Sequence, residues 1–208
     1  MQTKGVLVVV SGFSGAGKGT VMKALLEKYD NYALYVSATT RSPRPGEENG
    51  REYFFLTESQ FEDMIRNDEL IEHARYVDHY YGTTRKYVED KMAAGKDVIL
   101  EIEIQGALNI KKKFPDALLV FIVPPTAKDL KKRLIGRGTE SAEVIEKRLR
   151  RAAEESDGMD SYDYIVVNDD VDTCVEDLHS LIRSSHFKES ANTDLVARMK
   201  QELHDMTK

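Results

Sequence analysis

The sequence predicts a doubly wound α/β fold, in which helices cover both faces of a parallel sheet. Short runs rich in Val, Ile and Leu alternate with stretches of helical spacing, as is typical of strands that are buried on both faces. The first run, over residues 5–10, enters a glycine-rich stretch that leads directly into a helical one. A chain of 208 residues, 41% hydrophobic and 32% charged, can bury such a core without a disulfide or a structural metal.

Four strand–helix units repeat this pattern in order along the chain. The strands are predicted at residues 5–10, 97–104, 118–123 and 164–167, and the helices that follow them at 20–29, 107–114, 127–135 and 171–182. We expect these units to form one core from residues 1–36 and 92–186.

A different segment, residues 37–91, separates the first two units. It carries turn residues at 42–46, a strand-like run at 53–56 and a helix predicted at 58–67, where Thr57 and Gln60 have the spacing of a capping box. We expect this segment to fold as an inserted lobe.

Two further segments lie outside the strand–helix pattern. Residues 136–151 combine a glycine-containing turn with a charged helix, which predicts a mobile lid. Residues 187–208 form a predicted helical tail whose narrow apolar face either packs or frays.

Composition and charge argue against several classes of protein. The net charge is −6, with 30 basic and 36 acidic residues, so no global positive field attracts nucleic acid. The longest early apolar run, residues 6–10, is far shorter than the roughly 18 residues of a membrane span, and we expect neither an anchor nor a signal peptide. Cys174 is the single cysteine, which fits a reducing compartment, so we expect a cytoplasmic protein. We expect a monomer or a weak homo-oligomer. The five histidines lack the spacing of metal ligands.

The glycine-rich stretch after the first strand predicts a phosphate-binding loop. Its backbone N–H groups can wrap around phosphate oxygens, the helix N-terminus adds partial positive charge, and Lys18 can reach the β- and γ-phosphates. The alternative is a turn made only for tight packing. We expect ATP to be bound by Gly12, Ser14, Gly15, Ala16, Gly17, Lys18, Gly19 and Thr20.

One position departs from the common form of this loop. Gly19 follows the lysine where Ser or Thr usually holds Mg²⁺, and Thr20 comes next. This Gly-Lys-Gly-Thr form resembles the loop of nucleoside monophosphate kinases, which implies that Mg²⁺ is held largely through water and the ATP phosphates, with Thr20 as a candidate ligand.

Two arginines flank a proline turn in the inserted lobe. Arg41 and Arg44 are separated by Ser42 and Pro43, and guanidinium groups match phosphate in a bidentate manner. The arrangement suits a second phosphate site, although an Arg-x-x-Arg loop taken alone is more often solvated surface.

Further motifs extend this pattern, and together they resemble the guanylate kinase family. They are Glu72, the run Tyr80 to Thr83, and the run Glu101 to Gly106 at a strand end. The resemblance runs from the first strand to about Ile182 and implies an ATP-dependent kinase for GMP with a core, a GMP-binding lobe and a closing lid. Carried over by position, the GMP phosphate would be held by Arg41, Arg44, Tyr53 and Tyr81, and guanine would be read by Ser37, Glu72 and Thr83.

The chemistry of Glu72 independently favours guanine. One carboxylate can accept hydrogen bonds from both N1–H and the exocyclic amine of guanine, whereas adenine presents an acceptor at N1. The alternative is an ordinary exposed strand carboxylate.

A pair of acids is predicted at the end of a core strand. Side chains alternate along a strand, so Glu101 and Glu103 would face the same cleft. In the family the position of Glu103 is often Asp and contacts guanine, water or metal. The alternative is a buried pair satisfied by amides or basic residues.

Phosphoryl transfer calls for cations around the transferred group. Lys18 supplies one, and the resemblance implies that Arg137 and Arg148 arrive with the lid; Arg133 is a further candidate. Asn168 follows the last core strand, where the family places an adenine contact, and it is equally suited to cap the next helix.

Two other functions stay open at this level. Scaffold relatives with this fold bind phosphorylated peptides without catalysis, but Gly17, Lys18 and the lid arginines argue against that class. A kinase for another monophosphate is the second alternative, with dGMP as a side substrate; Glu72 and Thr83 favour guanine but leave the sugar undecided.

Overall fold

The chain folds into the alternating order of strands and helices that the sequence pattern indicates, in a computed structural model that describes residues 4–51, 53–76, 78–136 and 141–207. The strands and helices, in chain order, are β1 (Leu7–Gly12), α1 (Lys18–Lys28), β2 (Tyr32–Leu34), β3 (Ala38–Thr39), β4 (Phe54–Phe55), α2 (Glu58–Arg66), β5 (Leu70–Tyr76), β6 (His79–Thr84), α3 (Arg85–Ala93), β7 (Asp97–Glu101), α4 (Ile104–Lys113), β8 (Leu118–Val123), α5 (Ala127–Gly136), α6 (Ala142–Ser156), β9 (Tyr164–Val167), α7 (Val171–Ser185) and α8 (Thr193–Met206).

The core is a five-stranded parallel sheet in the order β2-β7-β1-β8-β9. Strand β1 lies at its centre with β7 on one side and β8 on the other, so the chain reverses its direction of winding there. Open parallel sheets bind ligands beyond the carboxyl ends of their strands at such a point, and this edge carries the glycine-rich loop.

Helices cover both faces of this sheet, which confirms the predicted fold class. On one face α1 and α7 pack against β1 and β8, with Leu25 and Leu178 fully buried. On the other face α3 and α4 pack through Val88 and Ile110. Each fully buried Val, Leu or Ile contributes about 1.5–3 kcal/mol, which is why strands of this kind carry almost no polar residue along their length.

The predicted strand–helix units are present, with changes at their ends. Helix α1 begins at Lys18, two residues before the prediction, and β7 ends at Glu101 because α4 begins at Ile104. Strand β2 and helix α3 were absent from the sequence prediction. Helix α3 packs on the core sheet although most of it lies within residues 37–91.

The inserted segment forms a second sheet in the order β4-β3-β6-β5. Strands β5 and β6 are antiparallel, with Glu72 opposite Thr83, and β3 pairs with β6. Helix α2 carries the predicted capping box at Thr57 and Gln60, and its Phe61 is fully buried against this sheet. The Glu72 side of the lobe borders a cavity that is also lined by residues 101–106, at the end of β7 and the start of α4.

Two helices complete the molecule. Helix α6 packs on α5 through Leu149 and Ala152. It confirms the charged helix predicted within residues 136–151 and continues to Ser156. Helix α8 is formed, but none of its residues is buried. In the parts of the chain that the structure describes, every helix is too short or too polar to cross a membrane.

Candidate active site

The glycine-rich loop connects β1 to α1 and depends on glycine where it enters the helix. Gly17 precedes the first residue of α1 with φ +91°, a left-handed conformation that favours glycine. A Cβ placed there would lie 2.5 Å from Nδ2 of Asn168. The turn therefore aims the α1 N-terminus, with its partial positive charge, at the space above the sheet.

Lys18 bends its side chain back over this loop. Its Nζ donates hydrogen bonds to the carbonyl oxygens of Gly12, at 2.8 Å, and Phe13, at 3.4 Å. The lysine lines a cavity of about 270 Å³ together with Gly12, Ser14 and Glu101. The loop therefore presents an ammonium group to a space bordered by backbone, which is an arrangement suited to a polyphosphate.

Two side chains from distant elements brace the loop at Ala16. Asn168, 3% exposed, donates from Nδ2 to the Ala16 carbonyl oxygen at 2.8 Å. Arg133 donates to the same oxygen at 3.2 Å and to the Asn168 carbonyl oxygen at 2.6 Å. The proposal that Asn168 caps the next helix is wrong, because Asp170 occupies that position and accepts from the Thr173 N–H. Arg133 and Asn168 thus hold the shape of the loop.

A larger cavity, of about 590 Å³, adjoins the loop cavity and lies between the inserted lobe, α4 and α6. The two cavities share Tyr53, Glu101 and Glu103 as lining residues. The predicted guanine-reading residues Ser37 and Glu72 also line the larger cavity. The two cavities meet at these shared residues, so a molecule bound in one would lie beside a molecule bound in the other.

Glu72 is a buried carboxylate with one oxygen already bonded. The Thr83 hydroxyl, fully buried, donates to Oε1 at 2.9 Å, and Oε2 faces Gly106, where a Cβ would lie only 3.2 Å away. Burial raises the pKa of Glu72, while the Thr83 hydrogen bond and the charge of Lys113 oppose that shift. The alternative of an exposed strand carboxylate is therefore wrong, since Glu72 is 6% exposed.

Arg41 is held in place by the carboxylate of Glu47, six residues along the chain. Its Nη2 donates to both oxygens of Glu47, at 2.9 and 2.8 Å, and the two side chains are only 13% and 17% exposed. The guanidinium lies 5.2 Å from the Tyr53 ring centroid, and Tyr53 packs edge-on to Tyr81. Arg44 differs, because its side chain is exposed while its backbone N–H donates to Glu47 at 2.7 Å.

The contacts of Glu47 with the Arg44 backbone and the Arg41 guanidinium favour its ionised form. The Arg44 backbone N–H and, after it, the Arg41 guanidinium hold the pKa of Glu47 below its ordinary value, against an opposing effect of desolvation. An ionised Glu47 orients Arg41 toward Tyr53 and Tyr81, the other residues predicted for this phosphate site.

Glu101 and Glu103 border the same cavities, as predicted, although they do not share a strand face. Strand β7 ends at Glu101, and Glu103 is the N-cap residue of α4. Both residues are exposed and both still line the two cavities, so the alternative of a buried pair is wrong. Desolvation raises the pKa of Glu101, opposed by the nearby Lys18, and Glu103 forms an ion pair with Arg151 at 2.9 Å.

Of the two arginines predicted for the lid, the structure describes Arg148. Arg148 is half-buried on α6, the helix that borders the larger cavity. Arg137 lies outside the described residues. Arg151 and Glu155 also line the larger cavity. Two charges four residues apart on a helix carry no signal in the sequence that separates them from surface residues, so neither was predicted.

The residues around Lys18 fit a hydrated divalent cation rather than a protein cage. Among the described residues, no group of three His, Cys, Asp or Glu side chains is arranged to hold a metal. Thr20 is exposed in the first turn of α1, and the Glu101 carboxylate lies near Lys18. Mg²⁺ usually keeps several waters and binds through one or two protein oxygens plus phosphates, which agrees with this sparse set.

Comparison with known proteins places the whole chain in one family. The family model described as guanylate kinase matches residues 4–185. A guanylate kinase of Caldanaerobacter subterraneus subsp. tengcongensis is 46% identical over 202 residues, which are 97% of this chain and 98% of that protein. A guanylate kinase of Lactococcus lactis is 50% identical over 188 residues, which are 90% of this chain and 92% of that protein.

The fold agrees with these similarities in sequence. The crystal structure of guanylate kinase from Anaplasma phagocytophilum superposes with a TM-score of 0.72 at 32% identity and covers 90% of this chain and 89% of that one. The resemblance to the guanylate kinase family is therefore confirmed. The chain belongs to the guanylate kinase family of ATP:GMP phosphotransferases.

Proposed function

We propose that the chain transfers the γ-phosphoryl group of Mg-ATP to the phosphate of GMP, that the reaction is reversible, and that dGMP is a second acceptor. One observation carries the assignment of sites: a buried carboxylate, Glu72, lies in a cavity that adjoins the cavity of Lys18. The cavity that contains Glu72 suits a guanine base, and the cavity that contains Lys18 suits a polyphosphate.

Guanine recognition rests on the free side of the Glu72 carboxylate. The Thr83 hydroxyl fixes one oxygen, so the carboxylate cannot rotate freely and presents its remaining lone pairs to the cavity. The adjacent N1–H and amino donors of guanine match such an acceptor, and the N1 acceptor of adenine does not. Ser37 borders the same cavity. A buried polar group left unpaired by the wrong base discriminates by roughly 10⁴.

The GMP phosphate is assigned to Arg41, Arg44, Tyr53 and Tyr81. Arg41 is already oriented by Glu47 and by the Tyr53 ring, which reduces the entropy lost on binding. Arg44 adds an exposed guanidinium on the same turn. Glu103 borders the base side of the cavity and is assigned as a further GMP contact.

ATP is assigned to the loop from Gly12 to Thr20 and to Asn168, where the family resemblance implies an adenine contact. Asn168 also braces the loop through the Ala16 carbonyl oxygen. Catalysis is mainly positioning and electrostatic stabilisation, because the transition state is loose and its charge is spread over three oxygens. Lys18 supplies positive charge from the loop, and Arg137 and Arg148 supply it from the lid. The GMP phosphate is already largely a dianion at neutral pH, with a second pKa of about 6, so the reaction requires no protein base.

Mg²⁺ is the cofactor that this reaction implies. Thr20 and Glu101 are the residues placed to contact it or its waters near the phosphates. When bound, the ion neutralises charge on the β- and γ-phosphates.

A coupled assay of ADP formation tests the proposal with GMP, dGMP, AMP, UMP and no acceptor in parallel. We expect turnover with GMP and dGMP, and background rates with AMP and UMP. Lys18→Met should abolish turnover while the far-UV circular dichroism spectrum stays unchanged. Turnover with AMP equal to that with GMP would overturn the guanine site. The cytoplasmic location and the monomeric or weakly oligomeric state stay predictions from the sequence.

A further inference from the structure

Helix α6 is joined to the GMP side of the site by one ion pair. Nη2 of Arg151 lies 2.9 Å from Oε2 of Glu103, the N-cap residue of α4. The Nε of the same guanidinium donates to Oε1 of Glu155, also at 2.9 Å, and Glu155 is 18% exposed. Glu155 therefore holds the Nε of the Arg151 guanidinium, and Nη2 is directed at Glu103.

All three residues border the larger cavity, and Glu103 and Glu155 border the loop cavity as well. The three linked side chains, Glu103, Arg151 and Glu155, therefore connect α4 to α6 across the junction of the two cavities. The apolar contacts of α6 with α5 and Phe13 lie on one side of the helix and involve Ile145, Leu149 and Ala152. The ion pair adds a contact on the side of α6 that borders the cavity.

Arg148 lies one helical turn before Arg151. Residues three apart on a helix share a face, so whatever holds Arg151 against Glu103 also sets the position of Arg148 relative to the cavity. Gly158, just after α6, touches Ile104 of α4 closely, since a Cβ there would lie 2.9 Å from Cγ2 of Ile104. Two contacts, one ionic and one apolar, thus fix α6 along α4.

From this arrangement we infer that Arg151 is a positioning residue: through Glu103 it docks α6 on the GMP cavity and so places Arg148 for phosphoryl transfer. This inference rests on the proposed function. It differs from the role proposed for Arg148, because Arg151 acts through a protein carboxylate and not on the phosphates.

The test compares Arg151→Met with Arg150→Met in steady-state assays with GMP. Methionine keeps much of the apolar stem of arginine and removes the charge. Arg150 is the matched control, since it lies on the same helix, is 71% exposed and pairs with Glu146 at 3.6 Å, away from the cavities. We expect Arg151→Met to lower kcat about three- to tenfold, with the KM for ATP within about twofold, and Arg150→Met to leave both unchanged. Arg151→Lys should recover part of the loss because it keeps the charge.

A double-mutant cycle shows whether Arg151 acts through Glu103. In a Glu103→Ala background, Arg151→Met should cost less than about twofold in kcat, because the partner is already gone. The ratio of the wild-type kcat to the Arg151→Met kcat should also fall as the KCl concentration is raised, since salt screens half-exposed charges. Hydrogen exchange should speed up in α6 and not in α7 for Arg151→Met.

Three outcomes would overturn the inference: an unchanged kcat in Arg151→Met, an equal loss in Arg150→Met, or the full loss persisting in the Glu103→Ala background. Failure of the proposed function is distinguishable, because the wild-type protein itself would then show no GMP-dependent formation of ADP.

Discussion

At the scale of single residues, the site contains a carboxylate that serves binding at the expense of stability. Glu72 is 6% exposed, and burial raises its pKa because few waters remain to solvate the charge. A folded-state pKa above the unfolded value of 4.5 means that the stability contribution of this group is present below pH 4.5 and is lost as the pH rises through the folded pKa.

Glu72→Gln should therefore change binding and stability in opposite directions. Glutamine keeps the shape but offers guanine one acceptor instead of two, so the KM for GMP should rise about 100-fold or more while the KM for ATP stays within about threefold. The melting temperature of the variant relative to wild type should increase from pH 4.5 to pH 7, since glutamine carries no charge to desolvate. Equal losses for the two nucleotides, or a melting difference independent of pH, would contradict the assignment.

A second prediction concerns Glu47, which orients Arg41. Glu47→Gln removes the bidentate ion pair, and we expect the KM for GMP to rise about tenfold with a smaller change in kcat. Glu48→Gln is the matched control, because Glu48 is 70% exposed and pairs with Arg51. An unchanged KM in Glu47→Gln, or the same rise in both variants, would show that Arg41 does not depend on Glu47.

At the scale of elements, the loop before α1 is shaped by its neighbours as much as by its own glycines. Gly17→Ala should destabilise the protein by about 1–3 kcal/mol, because it adds a Cβ at φ +91° within 2.5 Å of Asn168 Nδ2. Gly19→Ala, in the first turn of α1 with open space around its Cβ position, should stabilise by up to about 1 kcal/mol. Urea unfolding at pH 7 measures both changes. Equal effects of the two substitutions would contradict the crowding at Gly17.

The elements that the sequence did not predict have weak local signals. Strand β2 has three residues, too few for a periodic pattern. Helix α3 is highly charged and buries only Val88, so its apolar face is too narrow to recognise. The alternation of Glu101, Ile102 and Glu103 resembles a strand, yet the backbone turns into α4 after Glu101. The local sequence pattern there is compatible with both a strand and a turn. In the structure, the Ser11 hydroxyl donates to the Ile102 carbonyl oxygen, and the Ile102 N–H donates to the Val10 carbonyl oxygen.

At the scale of the whole molecule, α8 stands apart from the core. None of its residues is buried, and its large apolar side chains are 40–82% exposed, namely Leu195, Met199, Leu203 and Met206. Deletion of residues 193–208 should therefore shift the melting temperature by less than about 3 °C and leave kcat with GMP unchanged. Calorimetry and the coupled assay check this. A larger fall in melting temperature would mean that α8 contributes to the stability of the core.

The order of strands and helices, the phosphate-binding loop and the family could all be predicted from the amino-acid sequence. These follow from local chemistry: hydrophobic periodicity, glycine spacing and short motifs around Lys18, Arg41 and Glu72.

The contacts that each of these groups makes could be read only from the packed fold. Asn168 bonds to Ala16 across 152 positions, and Arg151 to Glu103 across 48. Thr83 meets Glu72 because two strands pair in one register. Such contacts depend on how elements pack in space, and periodicity along the chain carries no record of which distant side chain fills a given position.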